Sequence, residues 1–316
     1  MGDRRDFSSE PWKRLSEGPL KALVRAFEQH LERERGLSRG TIDHYLHQVR
    51  LFLLDRCSDD QSTIQDLQAK EVTQFILHYA REHTPITAKH MVTALRSFLR
   101  FARRTGLIAA DLADCVPTVP GWRLATLPKG LQRGQVEDVL KSCDPKTAVG
   151  RRDHAILLLL ARLGLRALEV VSLTLEDINW AAGEITILGK GPQRAKLPLP
   201  RDVGEALVAY LRDGRPQGPS RRVFLRAQIP YEGFASSSTI GSIVRKSLAR
   251  AGLSPPRKGA HLFRHALAME MLQRQASLEE IGQILRHHSV NATAVYAKVD
   301  LDALRTVAQP WPGGVK

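Results

Sequence analysis

The chain has 316 residues, 47 of them Lys or Arg against 33 Asp or Glu, giving a formal net charge of +14. A hydrophobic share of 43% over this length supports two domains with cores of their own and excludes a globally disordered chain. The excess of cations favours a polyanion, DNA or RNA ahead of a membrane surface, because Lys and Arg set on phosphates release condensed counterions.

Residues 1–17 read as a polar N-terminal arm with no apolar core that could serve as a signal peptide. Leu20, Leu23, Val24, Phe27 and Leu31 then recur at helical spacing, and Gly36 closes that helix. Ser38 or Thr41 caps a second helix, lined by Ile42, Tyr45, Leu46, Val49, Phe52 and Leu53. A third is expected over 69–81 and a fourth over 87–105, the latter burying Met91, Leu95, Phe98 and Leu99. Residues 18–110 thus form an all-helical bundle. The fourth helix also carries Lys89, Arg96, Arg100, Arg103 and Arg104. A charge run of this kind is ordinarily a solvated face; with the net charge behind it, a DNA-phosphate-contacting face is the better reading.

Pro117, Pro120, Gly121, Pro128 and Gly130 mark residues 111–130 as a linker. The second domain, 131–316, opens with helices over 134–142 and 147–163. The second of these holds the longest apolar run of the chain, Ala155–Ala161, far short of the ~20 residues that span a bilayer. Gly164 breaks it and 166–173 gives another turn or two of helix. Short strands follow at 178–180, 184–188 and 195–199, then helices at 203–213, 237–251, from 261 onward, 277–285 and 291–299, with a last one over 299–307. The expected fold is mainly α with a small β-hairpin or sheet. Cys57, Cys115 and Cys143 form no CxxC pair, so neither a zinc site nor a disulfide framework is implied, and reduced thiols of a cytoplasmic protein are expected.

Chemistry concentrates in Gly259–Met271, GAHLFRHALAMEM, and Leu285–Tyr296, LRHHSVNATAVY. A phenol can attack a phosphodiester, guanidinium groups can hold the phosphate oxygens, and imidazoles can move protons. The spacing of His261 and Arg264 puts both on one helical face. The i,i+4 pair His261/His265 could bind a metal, but no HExxH motif or acidic third ligand follows. Arg166 follows the Gly164 break, with Glu169 three residues on to hold it; alone, these two read equally as a surface ion pair. Lys190 lies between two glycines, without the GxxxxGK[ST] spacing of a P-loop. Tyr296 stands nine residues after His287; alone, it reads as a helix residue packing on Val295 and Val299.

In this order the blocks resemble the tyrosine recombinases, the phage-integrase and Xer-type enzymes. They are LGLRALEVVSLTLEDI at 163–178, ITILGKGPQRAKLPL at 185–199, the HLFRH run at 261–265, and IGQILRHHS with Tyr296. The resemblance covers nearly the whole chain, the N-terminal bundle being similar to the family's core-binding, SAM-like domain and the rest to its mixed α+β catalytic domain. It implies that Arg166 and Arg264 contact the scissile phosphate and that Lys190, with Lys196 in reserve, protonates the departing 5′-oxygen. It further implies that His261 is the base or proton shuttle, that His287 hydrogen-bonds the phosphate and that Tyr296 is the nucleophile. Glu169 and His265 are left in supporting roles. Where the family usually has Leu-Gly-His-Ser, this chain has Arg286 in place of the glycine; the spacing to the tyrosine selects His287 over His288.

The activity implied is DNA strand exchange through a covalent 3′-phosphotyrosyl intermediate, needing no cofactor, neither ATP nor metal. The implied partners are double-stranded DNA and a homotetramer on that DNA, with or without a partner recombinase, and no membrane. The segment after Tyr296 would dock on a neighbouring subunit or pack in cis. The ending DLDALRTVAQPWPG resembles mobile-element members, and the expected location is the cytoplasm, at the nucleoid. The alternatives are a type IB topoisomerase-like activity and a non-catalytic DNA-binding accessory factor.

Overall fold

The computed structural model describes residues 19–56, 64–120, 130–189, 194–287 and 289–297. The chain divides into two compact units, Met1–Ala125 and Thr126–Lys316. The expected polar arm and the expected helix over 299–307 lie outside the described residues.

In the first unit α1 spans Pro19–Gln29 and runs on as a π-helical turn, His30–Glu34. Gly36 ends it at φ +56, a left-handed conformation that glycine adopts without penalty. Helices α2 (Arg39–Arg56), α3 (Ala69–Glu82) and α4 (Pro85–Arg104) complete the bundle. The fourth helix starts two residues earlier than its apolar pattern suggests, because Thr84 caps it, accepting from the Thr87 N–H at 3.3 Å, and Pro85 suits the first helical position. Phe27, Leu31, Leu46, Phe52, Met91, Leu95 and Phe98 form the centre of its core.

The same core takes in Leu112, Ala113 and Val116, which corrects the expected start of the linker at residue 111. The apolar residues after α4 still pack on the bundle, and the Arg96 guanidinium ties them down by donating to the Val116 carbonyl at 2.7 Å and the Thr118 hydroxyl at 3.0 Å. Proline marked a change of backbone direction here, not departure from the core. Residues 121–129 lie outside the described residues.

The second unit is built on α6 (Ala148–Arg162), whose residues Ala155–Ala161 are all buried. Against it lie α5 (Arg133–Lys141), α8 (Arg201–Asp213), α9 (Ser238–Arg250) and α10 (His261–Gln273). The short α7 (Ala167–Ser172) leads to an antiparallel sheet in the order β1 (Ile178–Asn179), β2 (Glu184–Leu188), β3 (Arg194–Pro198). Ile185 and Ile187 of β2 point into the core while their neighbours face outward, the alternation of a half-buried strand. Helices α11 (Leu278–Ile284) and α12 (Val290–Ala297) close against α10 over a small separate core of Ala268, Ile281, Leu285 and Tyr296. Among the described residues no helix is long and apolar enough to cross a membrane.

Candidate active site

The site is assembled where two helices end. After α6 the chain turns at Gly164, with φ +57; after α11 it turns at Arg286, with φ +54. The carbonyls left unpaired by the helices at these turns receive the two arginines singled out in the sequence. Arg264, from the first turn of α10, donates from Nη1 to the Gly164 carbonyl at 2.7 Å and from Nη2 to the Leu285 carbonyl. Arg166 donates from Nη2 to the Arg286 carbonyl at 3.0 Å.

Glu169 fixes Arg166 from the other side. Its carboxylate accepts the Arg166 backbone N–H and the Arg166 Nη1, each at 2.8 Å, so one side chain caps α7 and orients the guanidinium. The carboxylate is only 4% exposed, and a buried charge of this kind must be paired. It holds a second cation as well, Arg286 Nη2 at 3.0 Å. Two guanidinium groups thus share one carboxylate, and Arg264 is a third cation close enough to feel its charge. Burial first, then the charges of Arg166 and Arg286, lower the Arg264 pKa to about 10, with Glu169 opposing; the group is still a cation at neutral pH. A net positive, hydrogen-bond-donating cluster is suited to a phosphate that gains charge in its transition state.

Beside this cluster lies Tyr296, on α12 and 1% exposed. Its hydroxyl is 2.7 Å from His265 Nδ1 and donates to it when the imidazole carries its proton on Nε2. The His287 ring stacks on the tyrosine, centroids 6.4 Å apart and planes 6° from parallel, and its Nδ1 is 2.6 Å from the Thr293 hydroxyl. Burial, and then the neighbouring His261, Arg264 and Arg257, lower the His265 pKa to about 4. Burial and then Arg264 and Arg166 bring His287 to about 4 as well. Burial pushes the Tyr296 phenol up to about 12, against the pull of Arg264. Both imidazoles are therefore neutral and the phenol protonated at physiological pH. His261 has an exposed surface, yet the protein mass behind it desolvates the ring and, with Arg264 and Arg166, lowers its pKa.

This geometry differs from the sequence expectation at one point. The phenol meets His265, which the resemblance left in a supporting role, and not His261, whose ring lies 6.3 Å from that of His265. Arg166, Glu169, Arg264, His265, His287 and Tyr296 all come together, as the motifs suggest. Lys190 lies outside the described residues, as does His288. Lys196, the reserve lysine, is 71% exposed on β3 and paired with Glu184 at 3.1 Å.

The profile of the phage integrase family matches residues 129–302, and that of the phage integrase N-terminal SAM-like domain matches 24–106. The chain belongs to the phage integrase family. A Sinorhizobium fredii (strain NGR234) protein named as an integrase/recombinase, y4rA, is 51% identical over 92% of this chain and 71% of its own length. The tyrosine recombinase XerC of Pelobacter propionicus is 30% identical over 92% of this chain and 94% of its own. The fold matches the XerH site-specific recombinase in its post-cleavage complex with palindromic difH substrate, at a TM-score of 0.70 and 20% identity, covering 90% of this chain and 83% of that one. It also matches a lambda integrase dimer bound to a COC′ core site, at 0.66 and 17%, covering 94% and 99%.

In this integrase-family chain the basic face of α4 is less open than its sequence suggests. Arg96 is tied to the residues after α4, Arg103 pairs with Asp111, and Arg104 pairs with Glu34 at 2.7 Å and with His30 Nδ1 at 2.8 Å. Arg100 is exposed. The partners of the other arginines come from other segments of the chain, out of reach of a helical-face argument. The Gly164 and Leu285 carbonyls, which hold Arg264, and Thr293, which pairs with His287, are not among the groups that the motifs single out. Only the two helix-stopping positions, Gly164 and Arg286, offered a signal for them.

Proposed function

We propose that this protein performs site-specific DNA recombination, cutting and rejoining strands through a 3′-phosphotyrosyl intermediate on Tyr296. The observation that carries the reading is the hydrogen bond of 2.7 Å between the Tyr296 hydroxyl and a neutral His265, next to two arginines whose guanidiniums are held by main-chain carbonyls. Arg166 and Arg264 bind the non-bridging oxygens of the scissile phosphate, and His287 adds a hydrogen bond. Tyr296 attacks phosphorus while its proton passes to His265. The bond to the 5′-oxygen breaks, and that oxygen takes its proton from Lys190. The new tyrosyl ester keeps the phosphoester bond energy, so a 5′-hydroxyl of the partner strand can reverse the step. His261, one turn from His265, relays the proton onward.

With Tyr296 buried and its phenol protonated, the free protein is in a resting arrangement. DNA binding has to bring the hydroxyl to the phosphate, which calls for movement of α12. The partner is double-stranded DNA, contacted in part by Arg100 and its neighbours on α4. Exchange of two duplexes calls for four subunits; the lambda integrase, which shares this fold, has been described as a tetramer bound to a Holliday junction. A mobile element is the proposed setting, with the nucleoid as the place of action; the ending DLDALRTVAQPWPG supports the first.

The test is a plasmid carrying two copies of the protein's own junction, incubated with wild type or Tyr296→Phe in chelator without ATP. Inversion or deletion by the wild type alone is the expected result. Recombination by Tyr296→Phe at the wild-type rate would overturn the reading.

A further inference from the structure

Arg286 occupies a backbone position made for glycine. The N–H of Arg286 donates to the Gln283 carbonyl at 3.0 Å, and that of His287 to the Gly282 carbonyl at 2.9 Å. These two bonds define a Schellman ending of α11, with Arg286 at the left-handed residue, φ +54. A side chain there is strained, where glycine is not. The guanidinium does not repay that strain fully: Nη1 returns to the Ile284 carbonyl at 3.1 Å, but Nε is buried with no hydrogen-bond partner among the described residues. An arginine held at a local disadvantage points to a purpose beyond ending the helix.

Its other contacts supply that purpose. Arg286 Nη2 shares the Glu169 carboxylate with Arg166, and the Arg286 carbonyl takes Arg166 Nη2. One residue thereby grips the Arg166 guanidinium directly by its main chain and indirectly through Glu169. Its charge matters too: with arginine here the cluster holds three cations to one carboxylate, and with glycine it would hold two.

We propose that Arg286 is a positioning residue of the cleavage site: it fixes Arg166 through the shared Glu169 carboxylate, and it offsets that carboxylate so that Arg166 and Arg264 meet the phosphate with their full charge. The proposal rests on the reading of Tyr296 as nucleophile.

The experiment compares wild type, Arg286→Gly, Arg286→Lys and Tyr296→Phe. Three quantities are measured on each: Tm, affinity for the intact junction duplex, and the single-turnover rate of adduct formation on a nicked duplex. For Arg286→Gly the expected result is a Tm no lower than wild type and an affinity within roughly threefold. Its adduct rate should be slower by about tenfold or more, because misplacing a clamp affects the transition state more than binding. Arg286→Lys, which restores charge but not the fork, should recover part of that rate. Wild-type cleavage by Arg286→Gly would overturn the proposal. So would a large drop in its Tm with binding and cleavage falling together, since that marks a merely structural residue. A wild-type protein that forms no more adduct than Tyr296→Phe would instead overturn the reading beneath it.

Discussion

Replacing Gly164 by alanine tests the cradle of Arg264 quantitatively. The residue sits at φ +57, and an added Cβ would lie 2.7 Å from Leu285 Cδ2 and 3.1 Å from Leu267 Cδ2. The left-handed conformation costs an alanine about 1 kcal/mol. The two contacts are with the tips of flexible leucines, so they yield by rotation and add about 1 kcal/mol more. The total, about 2 kcal/mol, corresponds to a Tm fall of about 4–8 °C in a domain of this size. The Gly164 and Leu285 carbonyls are also the acceptors that hold Arg264, so pushing them apart should turn that guanidinium. Cleavage should fall by about tenfold to a hundredfold while DNA affinity changes little. Gly183→Ala is the control: φ is +61 there, but no atom of the described residues lies within 4 Å of the added Cβ. It should show the backbone cost of about 1 kcal/mol and normal cleavage. Calorimetry and single-turnover adduct formation read both effects. If Gly164→Ala melts and cleaves like Gly183→Ala, the reasoning about the cradle is refuted.

Glu169→Gln leaves Arg166 and Arg286 without their buried counter-charge; allowing for the partial exposure of Arg166, we expect a loss of about 2 kcal/mol in denaturant unfolding, with cleavage slowed more than binding. His265→Gln should slow adduct formation by roughly a hundredfold, and His261→Gln by less than tenfold; the reverse order would return the base role to His261. His265 and His287 have folded pKa values of about 4 against an ordinary 6.5. Their contribution to stability is therefore complete above pH 6.5 and lost as the pH falls from 6.5 towards 4. A Tm series across that range should slope downward on the acid side, and less steeply in His265→Gln. For Tyr296 the sign is opposite: its pKa is raised from 10 to about 12, so its contribution fades as the pH climbs between those values.

Much of this arrangement is legible in the chain itself. The Pro/Gly-rich stretch around residue 120 marks the division into two units, and the uniform apolar run of α6, the period change at Ile178 and the i,i+3 pair His261/Arg264 give the plan of the second unit and part of its site, because they depend on local composition and periodicity. What was not legible depends on contacts between distant segments. His261 and His265 share a helical face, and the choice between them is made by where α12 lays Tyr296, not by spacing. The α4 arginines looked like an open row because Glu34, His30 and Asp111 belong to other segments. Leu112 and Val116 lie in the stretch whose prolines mark a linker, yet their side chains pack into the core of the first unit, a contact that proline content does not report. Arg286 stood out as a departure from the family pattern, but its partner Glu169 lies 117 residues away.

The measurement that bears most directly on the account is covalent trapping. A nicked suicide duplex carrying the protein's own junction would be mixed with wild type and with Tyr296→Phe, in chelator and without ATP, and run on a denaturing gel. The account expects a slow-migrating, protease-sensitive adduct with wild type and none with Tyr296→Phe. Binding to a verified junction without any adduct, or an adduct that persists in Tyr296→Phe, would contradict it.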